Sequence, residues 1–480
     1  MLNLKYKIIV IINLVYCYIP VFLFLLGWCK FTISIPSCIL LAYLFYKFIK
    51  SNNGDHKSLK IHPVILIIVL FVSLLLALTL GYGGIFATFQ DYVKHSAILQ
   101  DLVTYNWPVV YVDAQDPSIL TYYLGSYLFP ALIGKIFSNR IVAEISLGFV
   151  GWIGMLLLFL NIIFITNANS SKKQILALTI YLLFSGLLFP LQYVMSFVNS
   201  DVSVGNPHWF GILQYRSTIV SLRWVWQQYY VPIIGLIMIC NYKQNRNYYA
   251  LWMLPSLICG TWGFITLLFF VILEYIIDSL RKHQLNSDIF SWQNISCAVI
   301  GSFIVVYLLG SLLTDKPEEL KFHVVDNLKY YIFSYLPFCI FMFGIYFALI
   351  WKDIHKDIYF FITLCVLLII PLFKAGLYND WVMCTSMPAL FLLSIYCVKF
   401  LYTSNNNTKI KIKKTALVLL LLLNIPYTIK ELKMTYTGMP ERSLKQYSCI
   451  DCEDVELDYK SNYFTYNYKE SLFYKYIMRK

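Results

Sequence analysis

The sequence predicts an all-α polytopic membrane protein, a transmembrane helical bundle of about 13 spans with an interfacial or re-entrant helix in its first long outer loop. Three observations lead there. Of the 480 residues, 59% are AVILMFWYC and only 13% are charged, where a soluble chain would carry roughly 25% charged residues. Apolar runs of membrane-spanning length recur from Lys7 almost to Lys430, and mean hydropathy is +0.66. The Lys and Arg residues behind the net charge of +13 lie in short segments between those runs, where a positive-inside bias puts them. A soluble enzyme, a nucleic-acid-binding protein and a secreted disulfide scaffold are excluded.

The apolar runs fall near 7–27, 32–49, 63–80, 119–137, 141–166, 175–196, 229–240, 248–259, 263–278, 294–313, 330–351, 358–373, 386–402 and 415–429. The first has no small-residue cleavage site and is followed at once by the second, so it reads as a retained helix. If all of the runs crossed, Lys172-Lys173, Lys243 with Arg246, and the Lys409–Lys414 cluster would fall outside. Treating 119–137 as non-crossing restores the charge bias for every later loop. Its sequence, SILTYYLGSYLFPALIGKIF, is rich in Tyr and Gly and contains Pro130, which suits an interfacial or re-entrant helix. Residues 248–278 read as a tight hairpin with Gly260-Thr261-Trp262-Gly263 at its tip, because basic loops flank both sides. The chain then divides into three spans (1–80), an outer loop with juxtamembrane helices (81–140), the main bundle (141–429) and an outer tail (430–480). The N-terminus is expected in the cytoplasm, and the membrane is expected to be a bacterial inner membrane.

Ten of the 12 Cys lie in or beside apolar runs, where Cys behaves as a small hydrophobe. Cys449 and Cys452 alone occupy a polar segment, and a disulfide between them would constrain little chain. No Walker, Rossmann or kinase pattern is present, and no second CxxC completes a zinc site.

The inner loops are short and basic, whereas the outer loops 81–140, 197–228, 314–329 and 374–385 are long. In DYVKHSAILQDL, Asp91, Lys94, His95 and Asp101 fall within a helical arc of about 120°, and Pro108 ends the pattern after Trp107. This is either a solvated face with an Asp91–His95 i,i+4 pair, or an active-site helix in which Asp91 or His95 takes a proton from an acceptor hydroxyl. In QYRSTIVSLRWVWQQYY, Arg216 and Arg223 are seven residues apart and share a helical face, with Gln227-Gln228 at the mouth of the next span. The two arginines either snorkel to headgroups or grip a lipid-linked phosphate through the guanidinium fork. In KAGLYNDWVMCTSMPALF, Lys374, Asn379 and Asp380 lie between two apolar runs. Asp380 at membrane depth would be a functional candidate, and a surface pair between Lys374 and Asp380 is the plainer reading. Loop 314–329 is charged without metal-ligand spacing and reads as solvated.

The first long loop, its Tyr-rich helix and the run NRIVAEISLGFVGWIGMLLL resemble the opening of GT-C superfamily membrane glycosyltransferases. The likeness covers roughly residues 63–166 and extends to the rest only by architecture. It implies a polyprenyl-phosphate-sugar donor, an essential acidic residue at Asp91, and Arg140 as the Arg that opens the following span. The chain departs from the family where a His-Pro-Pro-Leu-type element would stand, since Asp116-Pro117-Ser118-Ile119-Leu120 occupies that place. The segments around Asp91, Arg223 and Asp380 also resemble a group of bacterial multispanning membrane proteins, a grouping that implies no activity.

The combined expectation is sugar transfer from a polyprenyl-phosphate donor at the outer face. Asp91 would be the base, aided by His95, and Lys94, Arg216 and Arg223 would neutralise the departing lipid phosphate. Asp101, Gln227, Lys374, Asn379 and Asp380 complete the expected substrate contacts. No cofactor is implied, and a divalent metal is neither required nor excluded. Membrane lipids are the expected surroundings. The alternatives are a polysaccharide polymerase or ligase, and a lipid or glycan transporter. A transporter would need polar residues along several spans, which 63–80 and 415–429 almost lack. The topology has a direct test: single cysteines at Lys172 and Lys411 should react with impermeant reagents only from the cytoplasmic side, and cysteines at Asp201 and Lys445 only from outside. Labelling of position 201 from the cytoplasm would overturn the assignment of the active face.

Overall fold

The computed structural model describes residues 2–52, 57–84, 92–112, 116–198, 203–204, 213–283, 287–312, 322–324, 329, 331–376, 378–404, 407–437, 448–452 and 462–480. Helices dominate, as a bilayer requires, because a spanning segment must satisfy its backbone N–H and C=O groups internally. In order they are α1 (Tyr6–Trp28), α2 (Phe31–Ser51), α3 (Pro63–Thr79), α4 (Tyr92–Thr104), α5 (Gly125–Ile136), α6 (Arg140–Ile165) and α7 (Ser171–Leu183). There follow α8 (Leu188–Ser196), α9 (Thr218–Trp224), α10 (Trp226–Asn241), α11 (Tyr249–Met253), α12 (Pro255–Cys259), α13 (Thr261–Lys282) and α14 (Trp292–Leu312). Further helices span Ile332–Ile354, Ile358–Ile369, Asp380–Tyr402, Thr408–Leu422 and Ile425–Thr437.

Among the described residues, 8 helices are long and apolar enough to cross a membrane. The bent pair α7 and α8, with 52° between them, would make a ninth, while α3 and Ile358–Leu372 are apolar but shorter. The chain is a multi-pass membrane protein. The 8 long helices are fewer than the 13 spans expected from the sequence. Helix α5 has 12 residues and is about 18 Å long, well short of the roughly 30 Å hydrocarbon core. It lies against α6, α4 and α1.

Burial sorts the helices into layers. Asp380–Tyr402 is enclosed over its whole apolar window, and α10 is buried from Trp226 through Ile239. These central helices carry Ser, Thr, Cys and Gly among their apolar residues, and small residues let helices approach closely where lipid supplies no hydrophobic drive. Outer helices such as α3 turn Ile67, Phe71 and Leu75 outward, onto a surface suited to acyl chains.

The helix ends gather at two faces. At the basic face, β1 (Leu2–Lys5) pairs antiparallel with β2 (Ser58–Ile61). Lys243 meets Asp357 there at 3.6 Å, and Lys413 meets Asp353 at 3.8 Å. At the opposite, loop-bearing face, β3 (Val110–Tyr111), β4 (Ser118–Leu120) and β7 (Phe464–Tyr466) form a three-stranded sheet in the order β3-β4-β7. Strand β7 belongs to the C-terminal tail, which also reaches α1 where Cys29 bridges Met478.

Residues 249–282 fold back on themselves at Gly260. Arg246, just before α11, donates to Glu274 at 3.0 Å and also pairs with Asp278, and both carboxylates are near the far end of α13. A single straight helix from 249 to 278 would hold those groups some 40 Å apart. A side chain at Gly260 would collide with the Gln228 carbonyl, so the turn packs directly on α10. Glu274 is buried, and its carboxylate also accepts from the Tyr249 and Tyr359 hydroxyls at 3.2 and 2.7 Å. A carboxylate at this depth holds its charge only with such partners. Arg246→Ala should therefore lower stability by about 3–5 kcal/mol, read as a loss of thermal stability in detergent. Arg246→Lys should recover part of the loss, because it restores the charge without the fork.

Candidate active site at the loop-bearing face

Helix α4 begins at Tyr92, so Asp91 lies outside the described residues, as do Trp209 and most of loop 314–329. The segment 85–91 is flanked by anchored residues. The Tyr92 hydroxyl donates to the Gly83 carbonyl at 3.0 Å, and the Tyr82 hydroxyl donates to the Leu222 carbonyl at 2.8 Å. Gly83 has φ of +74°, and a side chain there would overlap the Glu144 carbonyl of α6. The left-handed backbone and the close approach both require glycine.

The polar face of α4 is packed rather than solvated, which corrects the plainer of the two sequence readings. His95 and Asp101 are buried, and Lys94 is half-buried. His95 Nδ1 and the Tyr127 hydroxyl of α5 are 2.6 Å apart, which fixes the imidazole orientation. One residue on, Ser96 bonds to Arg140, whose Nε also holds Glu144 Oε1 at 3.1 Å. Helices α4, α5 and α6 thus meet around His95.

Asp101 has a different job. Its Oδ2 accepts from the Tyr111 hydroxyl, from Ser448 Oγ at 3.1 Å and from the Cys449 N–H at 2.8 Å. Burial pushes its carboxyl above the usual range, against the opposing pull of these donors. Asp101 is a point where the tail docks onto α4. Cys449 is a buried free thiol, and Cys452 is also buried.

Four segments converge beside the His95–Tyr127 pair. Tyr123, just before α5, is within electrostatic reach of Tyr127, Cys384 and Asp380. Asp380 opens the central helix Asp380–Tyr402. Asn379 before it is buried with a left-handed φ of 55°, and its Oδ1 accepts from the Ala375 N–H at 3.3 Å. Asn tolerates this conformation better than most residues. Arg216 comes from the opposite side and feels Tyr427, Cys384, Glu431 and Asp380. Burial lowers its pKa and these neighbours oppose the shift, yet an arginine remains cationic across the physiological range. Its Nε donates to Gln214 Oε1 at 2.8 Å, and among the described residues no carboxylate forms an ion pair with it.

Arg223 differs from Arg216. It is buried, and its Nη1 donates to both the carbonyl (3.0 Å) and Oε2 (3.3 Å) of Glu431. Snorkelling to headgroups is therefore excluded for Arg223, and its charge is already matched. Gln227 is buried at the start of α10, where its carbonyl accepts from Ser126 at 2.7 Å. Lys374 is drawn into the β6 (Phe373–Lys374) ladder opposite His323 of β5 (His323–Val324). It makes no ion pair with Asp380, so the surface pair weighed from the sequence does not form. Reading by sequence missed Glu431, Glu144, Tyr123 and Tyr127. The two glutamates carried a legible signal, an acidic residue in or at the edge of an apolar run, whereas the tyrosines were two among 39.

The tail contact makes a separable prediction. Asp101→Ala leaves the Tyr111 and Cys449 donors buried without an acceptor, at about 1–3 kcal/mol each. Reaction of Cys449 with maleimide should speed up sharply, whereas Asp101→Asn, which keeps an acceptor oxygen, should change it little.

Comparison with protein-family models, with curated proteins and with solved structures finds no match to this chain.

Proposed function

We propose that the protein transfers a sugar from a polyprenyl-phosphate donor to an acceptor hydroxyl at the outer face of a bacterial cytoplasmic membrane. The observation that carries this reading is Arg216, a half-buried guanidinium that forms no ion pair with a described carboxylate and lies within electrostatic reach of Asp380 and Glu431. Its fork geometry suits a phosphate. Arg223 and Glu431 neutralise each other, so Arg216 keeps its charge for the ligand, and Lys94 adds a second cation from α4.

In the reaction, the acceptor oxygen bonds to the anomeric carbon while the bond from that carbon to the phosphate oxygen breaks. The electron pair leaves with the lipid phosphate, where Arg216 meets the growing negative charge. The acceptor proton passes to Asp91, and His95, oriented by Tyr127, assists. Asp380 orients the sugar hydroxyls. The topology belongs to the same reading. Helices α3, α10, the α7–α8 pair, the α11–α12 pair and Ile358–Leu372 count as passages beside the 8 long helices, for 13 in all. Support comes from the contacts that collect alternate helix ends, Lys243–Asp357 at one face and Arg223–Glu431 at the other.

Polyprenyl phosphate is common to every such donor and serves as the probe. Arg216→Ala should weaken its binding by more than about tenfold, and Arg216→Lys by less. Asp91→Asn should leave binding within a few fold and lower transfer by roughly 10²–10⁴, while Asp101→Asn loses far less. Wild-type protein that fails to bind polyprenyl phosphate, or full transfer by Asp91→Asn, would overturn the reading.

A further inference from the structure

Among the described residues, four arginines are buried or half-buried, and three of them are answered by carboxylates. Arg140 Nε donates to Glu144 at 3.1 Å, Arg223 meets Glu431 at 3.3 Å, and Arg246 holds both Glu274 and Asp278. Arg216 is the exception. Its Nε donates at 2.8 Å to Oε1 of Gln214, a neutral amide that is fully buried. The other end of that amide, Nε2, donates to the Tyr378 carbonyl, two residues before Asp380. Chemistry fixes which end is which, because a guanidinium only donates and a carbonyl only accepts.

The arrangement leaves part of Arg216 open. With Nε engaged, its two Nη groups bond to no acceptor among the described residues. That end of a guanidinium can donate two parallel bonds to two oxygens of one phosphate. A carboxylate at position 214 would hold the guanidinium equally well, but it would also cancel the charge. The amide holds the group and leaves its charge in place. The backbone here does not depend on this pair, since Tyr215, between the two residues, is anchored by its own hydroxyl on the Leu367 carbonyl at 2.7 Å.

We infer that Gln214 is a positioning residue for an anion bound at Arg216. It fixes the guanidinium through Nε and ties it to the turn that carries Asp380. Being neutral, it leaves the Nη fork charged for a phosphate. The identity of that phosphate as the lipid-linked donor rests on the transfer reading above, whereas the capture of an anion by Arg216 does not.

Two substitutions separate charge from scaffolding. Gln214→Glu and Gln214→Met both lose the donation to Tyr378, and both keep about the length of the side chain. Only the glutamate sets a negative charge against Arg216. The full-length variants in neutral detergent are titrated with polyprenyl phosphate and, separately, with inorganic pyrophosphate, and the ligand-free melting temperature is read for each. Gln214→Met should weaken both anions by a few fold, and Gln214→Glu by at least about tenfold. The ligand-free melting temperature of Gln214→Glu should match or exceed that of Gln214→Met, because the new ion pair replaces part of what is lost. Gln214→Asn and Gln214→Asp repeat the comparison should either longer variant fail to fold. Anion binding by the charged variant equal to that of its neutral mate would overturn the inference and leave the donor reading standing. The graded loss with pyrophosphate, in a wild type that ignores polyprenyl phosphate, would keep the role of Gln214 and overturn the lipid donor. A wild type that binds neither anion would overturn both.

Discussion

A charge withdrawn from water inside a membrane protein must meet an opposite charge or a set of hydrogen bonds, and here the partners come from distant parts of the chain. Arg246 answers Glu274 across the Gly260 turn, and Arg223 answers Glu431 from more than two hundred residues away. Asn13 and Asn161 exchange hydrogen bonds between α1 and α6, with the Tyr6 hydroxyl joining at 2.7 Å. Apolar contact cannot set these registers, because a leucine is as well solvated by lipid as by another helix. Each polar link instead admits one relative placement of two helices, and the rest of the bundle is arranged around those placements.

The same requirement explains why the two faces differ. At the loop-bearing face the C-terminal tail packs onto α4. Asp101 and the β4–β7 pairing fasten the tail there. His95 pairs with Tyr127 at this face, and in the proposed transfer the Arg216 guanidinium would meet the anionic donor. At the basic face Lys57, Lys243 and Lys399 line one cavity with Asp357, and Lys243 meets that carboxylate at 3.6 Å.

What could be read from the chain followed from composition and from local period. Runs of apolar residues dictate helices wherever water is absent, so the membrane class, the helical fold and the position of most helices were legible, and so was the long-loop face on which the polar residues collect. The hairpin at Gly260 was legible because basic segments flank both of its arms. The α4 segment from Lys94 to Asp101 was legible as a helix with polar groups on one side, because a period of 3.6 residues is a local property.

Whether that side met water or protein was not a local property. The packing of α5 and the return of the tail, over three hundred residues later, buried it and made Asp101 an anchor for Ser448 and Cys449. Arg216 and Arg223, equivalent by spacing, were distinguished only when Glu431 formed an ion pair with Arg223 and lay merely within electrostatic reach of Arg216. Lys57, Lys243 and Lys399 looked like ordinary positive-inside residues until helix packing set them around one cavity. The sequence determined which segments enter the membrane, because transfer from water depends on each segment's own side chains. The tertiary structure decided which charges pair with which, because pairing depends on distances between side chains that the order of residues does not contain.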